Sequence, residues 1–181
     1  STMWAVFIGE TAFVIADSIA VGRMPSETSA SDTKYAIRPQ GPQLTPKQEQ
    51  CMIKVGDTLP SATLMEFSEV EGNGCSIGPN PVEVAKATAG KTIALFALPG
   101  AFTPTCSAKH VPGYVEHFNA LKASGVDEIW CVSVNDAFVM GAWARDLKSS
   151  GKVRMLGDGD AAFTKATGLT LDLTGRGMGL R

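Results

Sequence analysis

The sequence predicts an α/β fold with a parallel sheet at its centre, and the pattern of apolar residues carries that prediction. Three apolar runs, at 92–98, 128–134 and 153–156, alternate with stretches of helical periodicity and are separated by short turn segments. The order is therefore strand, helix, strand, helix, strand. Because right-handed crossovers join such units, the three strands are expected to run parallel, with helices covering the sheet.

Local signals predict the elements before this core. Residues 63–67 form a candidate short strand, and a glycine-rich connection over 71–78 follows it. Asn80 is then expected to cap a helix that has Pro81 as its first residue and Glu83 as an acid in its first turn.

The helix predicted after Cys106 has one apolar face, formed by Val111, Val115 and Phe118. Pro112 lies inside this helix and is expected to kink it after about its first turn. The kink would separate a short reactive segment from the packed remainder.

Later caps and turns complete the chain. Asn135 or Asp136 is expected to cap the helix between the second and third strands. In the run Gly-Asp-Gly-Asp, Asp158 and Asp160 are interpreted as a turn followed by the N-cap of a short helix, which needs no metal ion. The glycine-rich segment 175–179 is predicted to be a loose loop.

The composition suits one domain of ordinary size and argues against several classes of protein. With 181 residues, of which 44% are hydrophobic, the chain can build a core and carry an appendage. The net charge is −2 and the basic residues are scattered, so no nucleic-acid partner is expected. The four cysteines contain no Cys-x-x-Cys pair and only two histidines accompany them, so no metal site is expected. Sparse cysteines suit a reducing compartment, and we expect a cytoplasmic location.

The first 51 residues differ from the rest. Residues 3–21 are largely apolar, but Glu10 and Asp17 interrupt them and no basic residue precedes them, so neither a membrane span nor a secretory signal is expected. Residues 26–50 are polar and contain several prolines, which is typical of a flexible linker. The whole stretch is interpreted as a flexible or non-native extension, and 52–181 as the folded domain.

The stretch from Pro99 to Ser107 supplies the setting that a reactive thiol needs. An apolar strand ends at Pro99, the chain turns, and Cys106 falls where a helix begins. Free backbone N–H groups and the positive end of the helix dipole favour the thiolate at that position. Thr103 lies three residues earlier and offers a hydroxyl to the sulfur or to a substrate oxygen, while Pro99 fixes the backbone at the strand exit.

These residues match a known signature. Pro99, Thr103 and Cys106 form P-x-x-x-T-x-x-C, and the longer strings PGAFTPTCSAKHVPGY and VSVNDAFVMGAW resemble the type II, peroxiredoxin-5-like branch of the peroxiredoxins, over residues 53–181. The resemblance implies a thioredoxin-like fold with three α/β/α layers. It also implies a thiol peroxidase that reduces hydrogen peroxide and organic hydroperoxides through a sulfenic acid at Cys106. Glutathione with glutaredoxin, as in bacterial members, or thioredoxin would regenerate the thiol with no bound cofactor, and relatives are commonly homodimers.

The resemblance also suggests roles for neighbouring residues. Thr103 is expected to hydrogen-bond the thiolate or the peroxide, and Pro99 to support the site. Cys131, 25 residues after Cys106, resembles the resolving cysteine of plant type II members, which attacks the sulfenic acid to form a disulfide. The alternative is resolution by glutathione or glutaredoxin, with Cys131 packed in its strand. His110 is expected either to help hold the thiolate or to pack near the dimer face or the rim of the active site.

The chain departs from the family at its C-terminal end. Members use an arginine that polarises the peroxide, and in the type II branch this arginine follows the loop at which the present sequence stops. Arg181 falls a few residues short of it, and Arg145 and Arg154 do not match its position. The terminal strand pair and last helix of the family are also missing. We therefore expect a C-terminally truncated chain that is less stable and less active than a longer one.

Two other functions stay open at this point. A thioredoxin-like disulfide oxidoreductase normally needs a Cys-x-x-Cys motif, which the chain lacks. An inactive truncated fragment that acts as a redox-sensing or binding module is the non-enzymatic alternative.

Overall fold

The computed structural model describes residues 4–8, 52–69 and 77–181. Its strands are β1 (Trp4–Ile8), β2 (Thr63–Ser68), β3 (Gly78–Glu83), β4 (Ile93–Ala97), β5 (Glu128–Ser133), β6 (Arg154–Gly157), β7 (Asp172–Leu173) and β8 (Gly179–Leu180). Its α-helices are α1 (Val84–Thr88), α2 (Val111–Glu116), α3 (Phe118–Ala123), α4 (Ala137–Asp146) and α5 (Ala162–Ala166). A π-helical turn at Cys106–His110 precedes α2, and a 3-10 turn at Thr174–Arg176 precedes β8. The main sheet has the strand order β1-β4-β5-β6-β2-β3, and β7 and β8 form a separate pair.

The predicted parallel core is confirmed. β5 lies between β4 and β6 and runs parallel to both. Its side chains alternate between two buried clusters, because successive residues of a strand point to opposite faces. Ile129 and Cys131 pack with residues of α2 and α4, whereas Trp130 and Val132 pack with residues of α1 and α5. Helices therefore cover both faces of the sheet, in the three layers α/β/α that were expected.

One predicted cap is found at a helix start, and a second helix start is capped by a neighbour of the predicted residue. The carboxylate of Asp136 accepts the N–H of Val139 at 2.8 Å and caps α4. Asp158 is buried and accepts the N–H groups of Phe163 and Thr164, at 3.2 and 2.8 Å, at the start of α5. Asp160 was expected as the cap of this short helix, but α5 begins only at Ala162 and the capping carboxylate comes from Asp158. The described residues hold no group of three or more His, Cys, Asp or Glu side chains that could bind a metal ion.

The helix predicted to start at Asn80 is wrong at its first turn. Asn80, Pro81 and Glu83 belong to β3, which pairs antiparallel with β2, and the helix begins only at Val84. Proline lacks the N–H that an inner strand must donate, but β3 is the last strand in the sheet order, so one of its sides needs no donor. Pairing with β2 therefore overrides the local helix-start signal.

The glycine-rich tail is more ordered than predicted. The antiparallel strands β7 and β8 enclose the 3-10 turn, with Asp172 opposite Leu180 and Leu173 opposite Gly179. Gly177 and Gly179 have φ angles of 71° and 67°, which only glycine adopts without strain. The glycines therefore shape a tight hairpin here and do not make a loose loop.

The N-terminal segment contributes a strand that the sequence interpretation did not assign. β1 pairs antiparallel with β4, with Trp4 opposite Ala97 and Ile8 opposite Ile93. The boundary placed at residue 51 stays a prediction. Among the described residues, no helix has the length and apolar character to cross a membrane. The predicted connection over 71–78 lies largely outside the described residues.

Charged residues tie the strand starts together. Glu128 at the start of β5 contacts Lys91 at 2.5 Å and Arg154 at 2.9 Å, and Arg154 also binds Glu66 of β2. The Trp130 indole N–H donates to Glu128 at 2.8 Å. Burial alone would raise the pKa of Glu128, but the hydrogen bonds from Lys91, Trp130 and Arg154 outweigh it and lower the pKa to about 2.

We expect Glu128→Gln to destabilise the fold by about 1–2 kcal/mol at neutral pH, because it breaks a partly buried ionic network. The Glu128 pKa is lower in the folded chain than its ordinary value of 4.5. The stabilisation is therefore full above pH 4.5 and is lost as the pH falls toward 2. Urea unfolding at pH 7 and at pH 3 should show a smaller difference between variant and parent at pH 3. A difference that does not depend on pH would contradict the ionic assignment.

Candidate active site

The predicted reactive segment lies at the carboxyl end of β4, where the chain leaves the sheet. The Leu98 N–H still bonds to the Val132 carbonyl at 3.3 Å, after which the chain turns through 99–103. Residues 104–105 begin the helix and Cys106 follows in its first turn. The Ser107 N–H donates to the Thr103 carbonyl at 3.0 Å. The N–H of Cys106 therefore belongs to the helix-start donors that have no partner within a helix, as the sequence predicts.

The helix after Cys106 begins as a π-helical turn. The Val111 N–H bonds to the Cys106 carbonyl, five residues back. Pro112, which cannot donate, then stands in the first turn of α2. A change from π to α geometry thus occurs where the sequence predicted a kink, and π-turns of this kind are frequent at functional sites. The helix is interrupted again at His117, between α2 and α3.

Thr103 is held by the turn that precedes it. Its hydroxyl donates to the Gly100 carbonyl at 2.8 Å. A hydroxyl has one proton to donate and lone pairs that accept, so this bond leaves Thr103 as an acceptor for a substrate O–H. Phe102, between these residues, has a φ of 59°. A phenylalanine in this left-handed region is strained, so other contacts must hold the loop in place.

Asn135 supplies one such contact, and the sequence interpretation had considered it only as a helix cap. Its side-chain oxygen accepts the Ala101 N–H at 3.0 Å and the Ser133 hydroxyl at 2.7 Å. Asn135 follows β5, and carboxyl ends of neighbouring parallel strands meet at one edge of a sheet. That adjacency is the sequence signal that could have assigned Asn135 to the site.

Trp143 of α4 is a second residue that contacts the reactive segment. Its indole N–H donates to the Ser107 hydroxyl at 3.1 Å, next to Cys106. The ring is fully buried and lies 6.2 Å from the ring of Phe102, centroid to centroid. Trp143 thus belongs to the buried core and also contacts the site through its hydrogen bond to Ser107.

Cys106 and Cys131 are both buried in the cluster between the sheet and α2 and α4. Cys106 is 2% exposed, whereas Cys131 is inaccessible in the middle of β5, opposite Phe96 on one side and Met155 on the other. Burial raises the pKa of Cys131, and the neighbouring Cys106 charge raises it further. The two thiols thus share one apolar environment, but Cys106 lies in the first turn of a helix next to a loop, whereas Cys131 lies within a strand.

The remaining predicted residues lie around this turn. His110 ends the π-helical turn, burial lowers its pKa, and its Nδ1 is buried without a hydrogen-bond partner among the described residues. Pro99 lines a cavity of about 210 Å³ together with Val134 and Arg181. The Arg181 guanidinium donates to the Val134 carbonyl, so it lies at the same edge of the sheet as Pro99.

Comparison with known proteins identifies the family to which the chain belongs. The family model described as Redoxin matches residues 54–181. The chain is 50% identical, over 129 residues, to a chloroplastic peroxiredoxin-2E-2 of Oryza sativa; the match covers 71% of this chain and 55% of that protein. The chain therefore spans about half the length of this relative.

Two solved structures share the fold. One from Burkholderia cenocepacia, provisionally named a thioredoxin reductase, has a TM-score of 0.71 and 65% identity, and the match covers 72% of this chain and 77% of that one. Reduced Prx3 of Vibrio vulnificus, solved in complex with hydrogen peroxide, has a TM-score of 0.64 and 50% identity over 71% of this chain and 76% of that one. The chain belongs to the redoxin family and, within it, to the type II branch of the peroxiredoxins, with their thioredoxin-like fold.

Proposed function

We propose that the protein is a thiol peroxidase that reduces hydrogen peroxide and organic hydroperoxides to water and alcohols. The observation that carries the proposal is the position of Cys106 in the first turn of a helix that begins directly after Thr103. The Thr103 hydroxyl donates to the Gly100 carbonyl and keeps lone pairs that can accept a hydrogen bond from a substrate O–H. The Vibrio relative that was solved with hydrogen peroxide supports the choice of substrate.

The reaction needs only the thiol and an external reductant. The Cys106 thiolate attacks one peroxide oxygen, the O–O bond breaks, and the leaving oxygen takes a proton to depart as water or an alcohol. Cys106 is left as a sulfenic acid. Two equivalents of a thiol then return it to the reduced state, forming one disulfide and releasing water. The electrons come from thiols throughout, so the proposal includes no bound cofactor.

We propose that an external thiol, supplied by glutathione with glutaredoxin or by thioredoxin, attacks the sulfenic acid. Cys131 is inaccessible in the middle of β5, and burial raises its pKa, both of which disfavour it as an attacking thiolate. Because Cys106 is itself only 2% exposed, a reductant larger than peroxide requires the first helical turn to open.

We expect Cys131→Ala to keep peroxide turnover with glutathione within about twofold of the parent, because an external thiol does the resolving. Mass spectrometry after one equivalent of peroxide, without reductant and with a sulfenic-acid trap, should find the trapped adduct on Cys106 in both proteins. If the mass of the parent chain falls by two hydrogens and that of the variant does not, a disulfide has formed in the parent and Cys131 is the resolving cysteine.

We propose a homodimer as the working form. Phe102 and Phe138 are 55% and 61% exposed, which is unusual for phenylalanine, and Phe102 adjoins the reactive turn. Sedimentation of the parent and of a Phe102→Ser, Phe138→Ser variant would test the dimer, which the variant should weaken.

We also propose a cytoplasmic location, because Cys106 and Cys131 are both free thiols.

A peroxide-consumption assay with a panel of reductants tests the proposed activity. The reduced protein is given hydrogen peroxide or cumene hydroperoxide with glutathione alone, glutathione and glutaredoxin, or thioredoxin and its reductase. Sustained turnover with at least one reductant is expected. If Cys106 is oxidised once and no reductant restores it, a redox-sensing or binding module becomes the better description. A reduced protein that consumes no peroxide would overturn the proposal.

A further inference from the structure

The peptide group between Gly100 and Ala101 links two parts of the site. Its carbonyl accepts the Thr103 hydroxyl at 2.8 Å, and its N–H donates to the Asn135 side-chain oxygen at 3.0 Å. A peptide group is planar, so its N–H and C=O cannot turn independently. The orientation of the Thr103 hydroxyl is therefore set by whatever holds the Ala101 N–H.

Asn135 is itself held in place by hydrogen bonds to Ser133. Its side-chain oxygen also accepts the Ser133 hydroxyl at 2.7 Å, and Ser133 is 2% exposed. The Asn135 N–H donates to the Ser133 carbonyl, which also accepts the Asp158 N–H, each at 2.8 Å. The amide oxygen is thus aimed at Ala101 from the ends of two parallel strands, β5 and β6.

The loop needs this external support. Phe102 is held at a φ of 59°, a conformation that a free loop would leave. Gly100 lies close to the amide: a Cβ built there would be 3.7 Å from the Asn135 oxygen and 3.6 Å from the Thr103 methyl. Without the hydrogen bond to Ala101, rotation of the peptide would release the strain and withdraw the acceptor of the Thr103 hydroxyl.

We propose that Asn135 is a positioning residue for peroxide reduction, which acts through the Gly100–Ala101 peptide on the orientation of the Thr103 hydroxyl. This inference rests on the proposed peroxidase function. The proposal predicts different behaviour for two reactions of Cys106. The rate of peroxide reduction should depend on Thr103 and therefore on Asn135, whereas the rate of alkylation of the thiol should depend on neither.

The test compares two reactions of Cys106 in a double-mutant cycle. Asn135→Ala should lower the rate constant for hydrogen peroxide by about 10- to 100-fold, because the hydroxyl is misplaced. Alkylation of Cys106 by iodoacetamide should change by less than about threefold, since it uses no oriented hydroxyl. Adding Asn135→Ala to Thr103→Val should cost little more than Thr103→Val alone, because both changes remove the same interaction.

Asn135→Asp is the matched variant, since it keeps the acceptor oxygen and adds a charge. It should retain most of the preference for peroxide over iodoacetamide and shift the alkylation profile to higher pH, because the negative charge disfavours the thiolate. Multiplicative losses in the double mutant, or an equal loss of both reactions in Asn135→Ala, would overturn the inference while the parent stays active. An inactive parent would overturn the proposed function itself, and this inference with it.

Discussion

Replacing Cys106 with serine is expected to lower peroxide consumption by at least about 10³-fold, because an alcohol is a far weaker nucleophile than a thiolate at neutral pH. The change is nearly isosteric at a position that is 2% exposed, so the fold should survive. The measurement follows hydrogen peroxide in the presence of the best reductant from the panel. Circular dichroism of the variant would verify that the helices remain.

Cys131→Ser provides the control for this comparison. It introduces the same hydroxyl into the same buried cluster, but away from the helix start. A peroxidase that works through Cys106 should lose its activity in the first variant and keep most of it in the second. Equal activities in the Cys106→Ser variant and the parent would remove Cys106 from the mechanism.

Gly157→Ala is expected to destabilise the fold by about 2–4 kcal/mol through steric overlap. A Cβ at Gly157 would lie 2.6 Å from the Asn135 carbonyl oxygen and 3.0 Å from the Asp136 carbonyl carbon. Both are backbone atoms between β5 and α4, and rotation of a side chain cannot move them aside. The shift should extend to the Asn135 side chain, so peroxide turnover should fall at temperatures where the variant is still folded.

Gly159→Ala is the matched control, because its Cβ would meet the same Asn135 oxygen only at an ordinary distance of 3.8 Å. Urea denaturation of the two variants should give a clearly lower midpoint for Gly157→Ala and a nearly unchanged one for Gly159→Ala. Similar midpoints would show that the backbone of Asn135 and Asp136 can shift without lowering the stability of the fold.

The parts of the fold that local patterns determine were predictable from the sequence. The apolar runs gave the parallel strands β4, β5 and β6, and Asp136 caps α4 as its position before an apolar helix suggested. Where pairing between distant segments decides the outcome, local signals were insufficient. Asn80 and Pro81 have the sequence of a helix start but pair with β2 as an edge strand, which depends on the whole sheet.

The same division holds in the candidate site. The sequence by itself determined the reactive unit, since the turn from Pro99 to Thr103 and the helix that follows it place Cys106 among free backbone donors through local geometry alone. Only the tertiary structure decided what holds that unit: Asn135 reaches Ala101 across 34 residues of sequence and Trp143 reaches Ser107 across 36. Tertiary packing also buried Cys131 in the middle of β5. Hydrogen bonds within a turn follow from residue order, whereas bonds between strand ends exist only once the sheet has brought those ends together.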